Sequence, residues 1–475
     1  MTKDVADTAF FQQRKAEGQV IVKDPPKFDL ESYISNYDGF TRADRLRHIG
    51  SHSTYLAIDA YRTAIVEAKR GKNVKLYLDL VEDFAQIAPE DPVALTDTTW
   101  ATEKTKKVEA EKDKLEHELK SYKNNLIKES IRMGNEDMGH FYYAAGDYSA
   151  AHKAYMRMRE HCTSPKHLAD MTLRLLLVSI AQKSWLTVQS HIAKVDSTQV
   201  KGDDKTKLEP IISACAGLAH MGSQNYRDAA SSFIATSPTF LSLEPAAGIT
   251  WQREVITGND IAVYGGLCAL ASMDRSQLKE RVLDNSDFRN FLELEPHIRR
   301  AINLFCASKY SACLEVLEAY RNDYLLDVYL SKVLTEIYGR IRRKSIVQYF
   351  IPFSCVTLDE MASKFQLTGE YPSIEDELET MINSGALDAR IDLVDRLLIS
   401  PPNNRRYNVQ AEALAMAESY DHTLRLRLTR LNMLAAGMEV KQDKGGPKGE
   451  AYKDPGFGEG IGSSIRGMSS KMGFS

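Results

Sequence analysis

Apolar residues recur along most of this chain at steps of three and four, the period of an amphipathic helix. Leu30, Tyr33, Ile34 and Tyr37 make the first such stripe, and Gly39 is expected to close that helix. Tyr55, Ile58, Tyr61 and Ile65 make a second. Leu76, Leu80, Phe84 and Ile87 make a third, which Pro89 and Pro92 stop. Thr96 to Met133 holds neither proline nor glycine. Within it Val108, Leu115, Leu119, Tyr122 and Leu126 form a narrow seam between charged runs, so one long helix is expected. Glu103–Lys107 and Glu116–Lys120 stand four apart in the order that supports a helix. Toward the C-terminus the period changes. Leu387, Ala389 and Ile391 alternate with Asp388, Arg390 and Asp392, as in a half-buried strand.

That change of period completes a recognisable order between Lys344 and Ser400. Thr357-x-x-Glu360 and Ser373-x-x-Asp376 are N-terminal capping signatures, each ahead of an apolar-periodic run. Leu358, Met361, Ala362 and Phe365 share one helix face; Ile374, Leu378, Met381 and Ile382 share another. Gly385 stands where a left-handed C-terminal cap belongs. Helix, turn, helix and a two-strand wing make a winged helix.

Upstream, residues 134–338 repeat themselves. Gly139, Tyr142, Gly146, Tyr148, Ala151 and Tyr155 are spaced as in tetratricopeptide-type hairpins, where small residues admit close approach and aromatics fill the gap. Echoes follow at Trp185, Tyr226 and Tyr310, with an intermediate unit expected around Asp274. A period drifting around roughly forty residues predicts an irregular α-solenoid. Asp196–Lys207 and Ser237–Asp260 read as surface loops. Downstream, Leu424, Leu428, Leu431, Ala435 and Met438 line one face of a further helix, with Arg425, Arg427 and Arg430 off it. The predicted plan is therefore a polar arm (1–27), an N-terminal helical region (28–133), helical repeats (134–338), a winged helix (339–400), a C-terminal helix (401–440) and a glycine-rich tail (441–475) expected to be disordered.

Composition adds bounds. The 475 residues exceed one ordinary core, and 43% hydrophobic with 27% charged residues describes a chain able to fold in water. No segment approaches ~18 uninterrupted apolar residues, so no membrane partner is expected. The first ten residues lack the apolar core of a secretory signal. The six cysteines, at 162, 215, 268, 306, 313 and 355, are scattered without a C-x-x-C pair, which predicts reduced thiols and no zinc site. Cys306 and Cys313 share a helix face as small core residues, and Gly265-Gly266 predicts close helix packing.

Candidate chemistry is sparse. His48 and His52 are four apart but have no evident third metal ligand, and neither a phosphate loop nor a G-x-S-x-G elbow occurs. No catalytic, metal-binding or cofactor-binding residue is therefore assigned. A winged helix that reads DNA needs a basic or neutral recognition helix. Here that helix carries Glu375, Asp376, Glu377 and Glu379, and the net charge of −4 offers polyanions nothing. The basic run Arg340, Arg342, Arg343, Lys344, with Arg405 and Arg406, reads as a solvated face or a contact for an acidic partner. Assembly fits better. A thin wing leaves strand edges open to a neighbouring chain, and an apolar final helix suits an intermolecular bundle. The predicted interface residues are Leu387, Ala389, Ile391, Leu424, Leu428 and Leu431.

A mainly α chain in which a solenoid feeds a winged helix resembles the PCI family, subunits of the proteasome lid, the COP9 signalosome and a translation-initiation scaffold. The runs LKSYKNNLIKESIRMGNEDMGHFYYAAGDY (119–148), AVYGGLCALASMDRSQL (262–278), FLELEPHIRRAINLFCASKYSACL (291–314) and RRKSIVQYF (342–350) resemble its signalosome branch more than its proteasome-lid sister. The resemblance implies a non-catalytic scaffold, in cytoplasm and nucleus, of the complex that removes the ubiquitin-like modifier from cullins. Implied partners are signalosome subunits 2 and 3 at the winged helix, several subunits at a C-terminal helical bundle, and cullin–RING ligases through the complex. A proteasome-lid subunit and a winged-helix nucleic-acid binder are the alternatives.

Overall fold

The computed structural model describes residues 8–197, 203–365, 373–401 and 405–438. It divides into two units, 1–401 and 402–475. The first surprise is the start of the chain. Within the expected loose arm, α1 (Ala9–Ala16) buries Phe10 and Phe11, and Val22 bridges to Ser53 in parallel. Residues 8–27 are thus docked. The polar neighbours that made this segment look unstructured surround two aromatic rings, each worth roughly 1.5–3 kcal/mol when buried.

α2 (Leu30–Ser35) is capped by Asp29, α3 (Gly39–His52) follows, and α4 (Ala57–Arg70) and α5 (Val74–Ile87) pack beside it. Gly39, expected to close α2, instead opens α3 with φ +60°. The expected long helix is two. α6 (Thr98–Asn124) ends at a turn where Leu126 has φ +55°, and α7 (Lys128–Ala145) folds back on it. Leu119 of the predicted seam is buried with Ile131 and Met138, whereas Leu126 is exposed. The hairpin wins because Gly134 lets α7 approach Leu119 and Tyr122 closely. Of the two predicted pairs Glu103–Lys107 forms, and Glu116 pairs with Lys112 instead.

The repeats are hairpins. α8 (Tyr148–Met158) pairs with α7, α9 (Pro165–Ala181) with α10 (Trp185–Ser197), and α11 (Asp203–Gly222) with α12 (Tyr226–Ile234). After α13 (Trp251–Glu254), α14 (Gly258–Ser272), α15 (Arg275–Gln277) and α16 (Ser286–Leu292) comes the pair α17 (Pro296–Cys306) and α18 (Tyr310–Ala319). Four of these turns share one geometry. Gly146, Lys183, Gln224 and Ser308 have φ of +84°, +55°, +62° and +63°. The next amide reaches back to close the helix: Asp147 N to Tyr142 O at 2.9 Å, Ser184 N to Ser179 O at 3.0 Å, Asn225 N to His220 O at 2.9 Å and Lys309 N to Leu304 O at 2.9 Å. One residue later Tyr148, Trp185, Tyr226 or Tyr310 opens the partner helix. The aromatic echoes in the sequence mark this turn.

Two expectations fail here. The intermediate unit around Asp274 lacks that turn: Met273 is extended, and Asp274 caps α15, which runs into a π-helical turn at Leu278–Leu283. Ser237–Asp260 is not a surface loop, because Phe240, Ile249, Trp251, Val255 and Ile256 are buried. Pro and Gly marked its irregular backbone but not its burial. In the Asp196–Lys207 stretch, α10 runs to Ser197 and α11 begins at Asp203; 198–202 lie outside the described residues, as does the tail at 441–475.

Gly265 and Gly266 of α14 pack as expected, the first against Phe288 and Phe233, the second against Ile298. Gly139 has the same role, since a Cβ there would collide with the Tyr155 ring. That ring is held by a 3.2 Å contact between its hydroxyl and His140. Gly139→Ala gains about 1 kcal/mol of helix propensity but overpacks the hairpin at about 1–3 kcal/mol. A lower melting temperature is expected, and an unchanged or higher one would refute this account.

A buried ionic cluster joins the N-terminal helices to the end of the repeats. Arg45 of α3, with no exposed side-chain surface, meets Asp260 of α14 at 2.9 Å and Asp327 at 2.6 Å. Tyr37 donates to Asp260 and Tyr264 to Asp327, at 2.8 and 2.7 Å. Asp327 also accepts from the amides of Tyr329 and Leu330. The Arg45 guanidinium lies 4.0 Å from the Tyr37 ring centroid. Burial pushes the Asp260 carboxyl up against the pull of Arg45. Burial acts on Asp327 too, but Arg45, the Leu330 amide and Tyr264 outweigh it and hold that carboxyl below its usual range.

α19 (Arg321–Leu325) and α20 (Leu334–Phe350) lead into β1 (Cys355–Thr357), α21 (Leu358–Lys364), α22 (Ile374–Asn383), β2 (Arg390–Asp392) and β3 (Leu397–Ile399). The second unit's described part is α23 (Arg405–Ala435).

Candidate assembly surfaces

The winged helix forms where its caps place it. Thr357 Oγ1 accepts from Glu360 N, and Ser373 Oγ from Asp376 N, both at 3.2 Å. Gly385, at φ +70°, ends α22; its amide reaches Ile382 O at 3.0 Å and that of Ala386 reaches Met381 O at 2.9 Å. Leu358, Met361, Phe365, Ile374, Leu378 and Met381 form the core beneath. The two expected wing strands form as β2 and β3, and a third strand joins their sheet. Cys355–Thr357, ahead of α21, pairs antiparallel with β3, giving the order β1-β3-β2 with Ile391 and Val356 both opposite Leu398. β1 and β2 are the outer strands of this sheet.

The alternation at 387–391 selects the buried face correctly, but that face is the module's own. Leu387 and Ala389 are buried just before β2, and Ile391 is half-buried against the same core. They support the wing from within and offer a partner little side-chain surface. The exposed apolar residues are in the β2–β3 turn. Leu393 is 72% and Val394 91% exposed. The turn is rigidly held: Asp392 Oδ1 accepts from Val394 N at 2.9 Å and Asp395 N at 3.3 Å, and Arg396 pairs with Glu375 and Asp359 at 3.0 and 3.2 Å. Ile351 and Phe353, at the approach to β1, are exposed as well. A signal was present, since Leu-Val between two aspartates is an unusual filling for a tight turn.

The basic run divides. Arg342 turns inward and pairs with buried Glu377 at 2.8 and 3.0 Å, fastening α22 to α20. Lys344 donates to the carbonyls of Leu270 and Met273 at the end of α14, and burial pushes its ammonium down to about 8. Arg340 and Arg343 face Glu336 at 2.7 and 3.8 Å. Arg405 and Arg406 open α23. The run is thus no uniform solvated face, and Glu377 is not among the acids presented outward.

α23 carries the other predicted residues. Leu424, Leu428 and Leu431 are exposed, at 44%, 60% and 63%. Leu414 and Ala417 precede them and Ala435 follows on the same face, although Asp421 stands in the stripe between Ala417 and Leu424; Met438, expected on this face, lies past the helix end at Ala435.

The histidine pair is structural. His48 and His52 stack with centroids 4.0 Å apart, a ring nitrogen of His48 lies 3.3 Å from Leu325 O, and burial, with His52 beside it, lowers His48 to about 3. Among the described residues no group of three or more His, Cys, Asp or Glu is placed to hold a metal. Cys313 is buried and Cys306 half-buried, both thiols raised by burial.

Comparison with known proteins agrees with this architecture. Residues 97–281 match the family described as 26S proteasome subunit RPN7, and residues 317–402 match the PCI domain. The COP9 signalosome complex subunit 1 of Emericella nidulans is 50% identical, over 89% of this chain and 85% of its own length. The protein of that name from Neurospora crassa is 41% identical, over 91% and 93%. A rice 26S proteasome non-ATPase regulatory subunit 6 is 22% identical over 63% of this chain. With identity of this order along solenoid and winged helix together, the chain belongs to the COP9 signalosome complex subunit 1 family.

Proposed function

We propose that this chain is a non-catalytic scaffold subunit of a COP9 signalosome, the complex that removes the ubiquitin-like modifier from cullins and so regulates cullin–RING ligases. The observation that carries this reading is the extended identity to subunit 1 proteins, which covers the repeats and winged helix alike. The exposed apolar wing tip and the exposed leucines of α23 suit a protein whose work is to hold neighbours. Signalosome subunits 2 and 3 are the proposed neighbours at the winged helix, with several subunits at α23 and with cullin–RING ligases engaged through the whole complex. Cytoplasm and nucleus are the proposed locations. The inward-turned Arg342 and Lys344 weigh against the nucleic-acid alternative, and the lower identity to proteasome subunits weighs against a place in the proteasome lid.

Native purification followed by mass spectrometry tests the assignment. Co-purification of a cullin-modifier protease and its companions is expected; recovery of proteasome base subunits instead would overturn it. Within that complex, Leu393→Asp combined with Val394→Asp is expected to weaken incorporation about tenfold or more while leaving the melting temperature unchanged, because both side chains stand in solvent. Normal incorporation would remove the wing tip from the interface. Ile391→Asp would be a poorer probe, because Ile391 packs against the module's own core and its loss would disturb the fold.

A further inference from the structure

A cavity of about 540 Å³ opens between the end of α8, the start of α9 and the second half of α10. Its apolar wall includes Met171 and Leu175; its polar wall includes Arg159, Ser164, His191 and Lys194; and among the described residues no Asp or Glu lines it. α9 is 17 residues long and points its N-terminus here, capped by Ser164, whose Oγ accepts from His167 N at 3.2 Å and keeps its proton to donate. The independent observation is His191. It is 3% exposed, yet neither ring nitrogen has a hydrogen-bond partner in the protein. Burial, aided by Lys194 and His152, lowers it to about 4, so the imidazole is neutral and carries one donor and one acceptor. A buried polar group left in that state is destabilising, and a hydrogen-bonding ligand would relieve it.

We propose that this cavity binds a small organic phosphate, with the phosphate between Arg159, Lys194 and the α9 N-terminus, its apolar body against Met171 and Leu175, and a hydrogen bond to His191. Two cations suit a dianion better than a singly charged carboxylate, and a volume of this size suits a small molecule. Its lining residues all lie between Met156 and Ser197, outside the winged helix.

Phenyl phosphate is the probe, titrated into the full chain by calorimetry beside inorganic phosphate and phenol. Saturable binding in the millimolar range or tighter is expected, at least about tenfold tighter than either fragment. Ring-nitrogen resonances of labelled histidine should show one imidazole, lost in His191→Phe, that shifts on binding. Lys194→Glu, a surface change, should weaken binding about tenfold without altering the melting temperature. Absence of saturable binding, or binding that ignores Lys194→Glu and leaves every histidine resonance unmoved, would overturn the proposal.

Discussion

Replacing Arg45 by Met should lower the stability of residues 1–401 by about 3–5 kcal/mol, among the largest single-residue effects expected in this chain. The methionine keeps most of the volume but leaves Asp260 and Asp327 buried without their shared cation. The penalty has a sign with pH. Arg45 lowers both carboxyls in the wild type, so its loss raises both. For Asp327, held low in the folded protein, stabilisation is present above the unfolded carboxylate value and lost as pH falls through the folded one. In Arg45→Met the folded values lie above the unfolded one instead, so protonation now relieves the strain. The deficit against wild type should therefore be smaller at about pH 5 than at about pH 7. Adding Asp327→Asn to Arg45→Met should recover part of it. Denaturant unfolding at the two pH values checks both statements. An equal deficit throughout, with no recovery, would show that Arg45 acts by packing alone.

The second large effect concerns assembly. Changing Leu424, Leu428 and Leu431 together to Gln should remove the chain from its complex while leaving residues 1–401 as stable as before. Leucine and glutamine have similar helix propensity, so α23 should retain its helix content by circular dichroism. Its contribution to a bundle comes from burying apolar area, at roughly 25 cal/mol per Å², and all three leucines are exposed. Loss of co-purifying subunits with unchanged melting is the expected pair of results. Full incorporation of the triple variant would mean that α23 is no interface. Comparison with the wing-tip variant then separates the two surfaces: independent contacts should each weaken assembly, and together do so additively.

How far the predicted surface residues could be placed from the sequence differed between the two groups. The spacing of Leu424, Leu428 and Leu431 placed them on one helix face, and they are exposed there. Leu387, Ala389 and Ile391 could not be placed in this way, because alternation reports that one strand face is buried without saying whether a partner or the same module buries it. Here Leu398 and the cores of α21 and α22 do so. The exposure of Leu393 and Val394 has no periodic signature, because a turn has no period to interrupt.

The same division runs through the fold. The caps at Thr357 and Ser373, the left-handed Gly385 and the recurrent aromatic after each hairpin turn were determined by sequence alone, since the hydrogen bonds that enforce them span six residues or fewer. Tertiary structure decided the docking of Phe10 and Phe11, the break at Leu126, the burial of Trp251 within an irregular segment, and the direction in which Arg342 and Lys344 point. It also decided the meeting of Arg45 with Asp260 and Asp327, which lie more than two hundred positions away along the chain. Each of those outcomes depends on a partner that is distant in sequence, and local propensity carries no information about where such a partner will be.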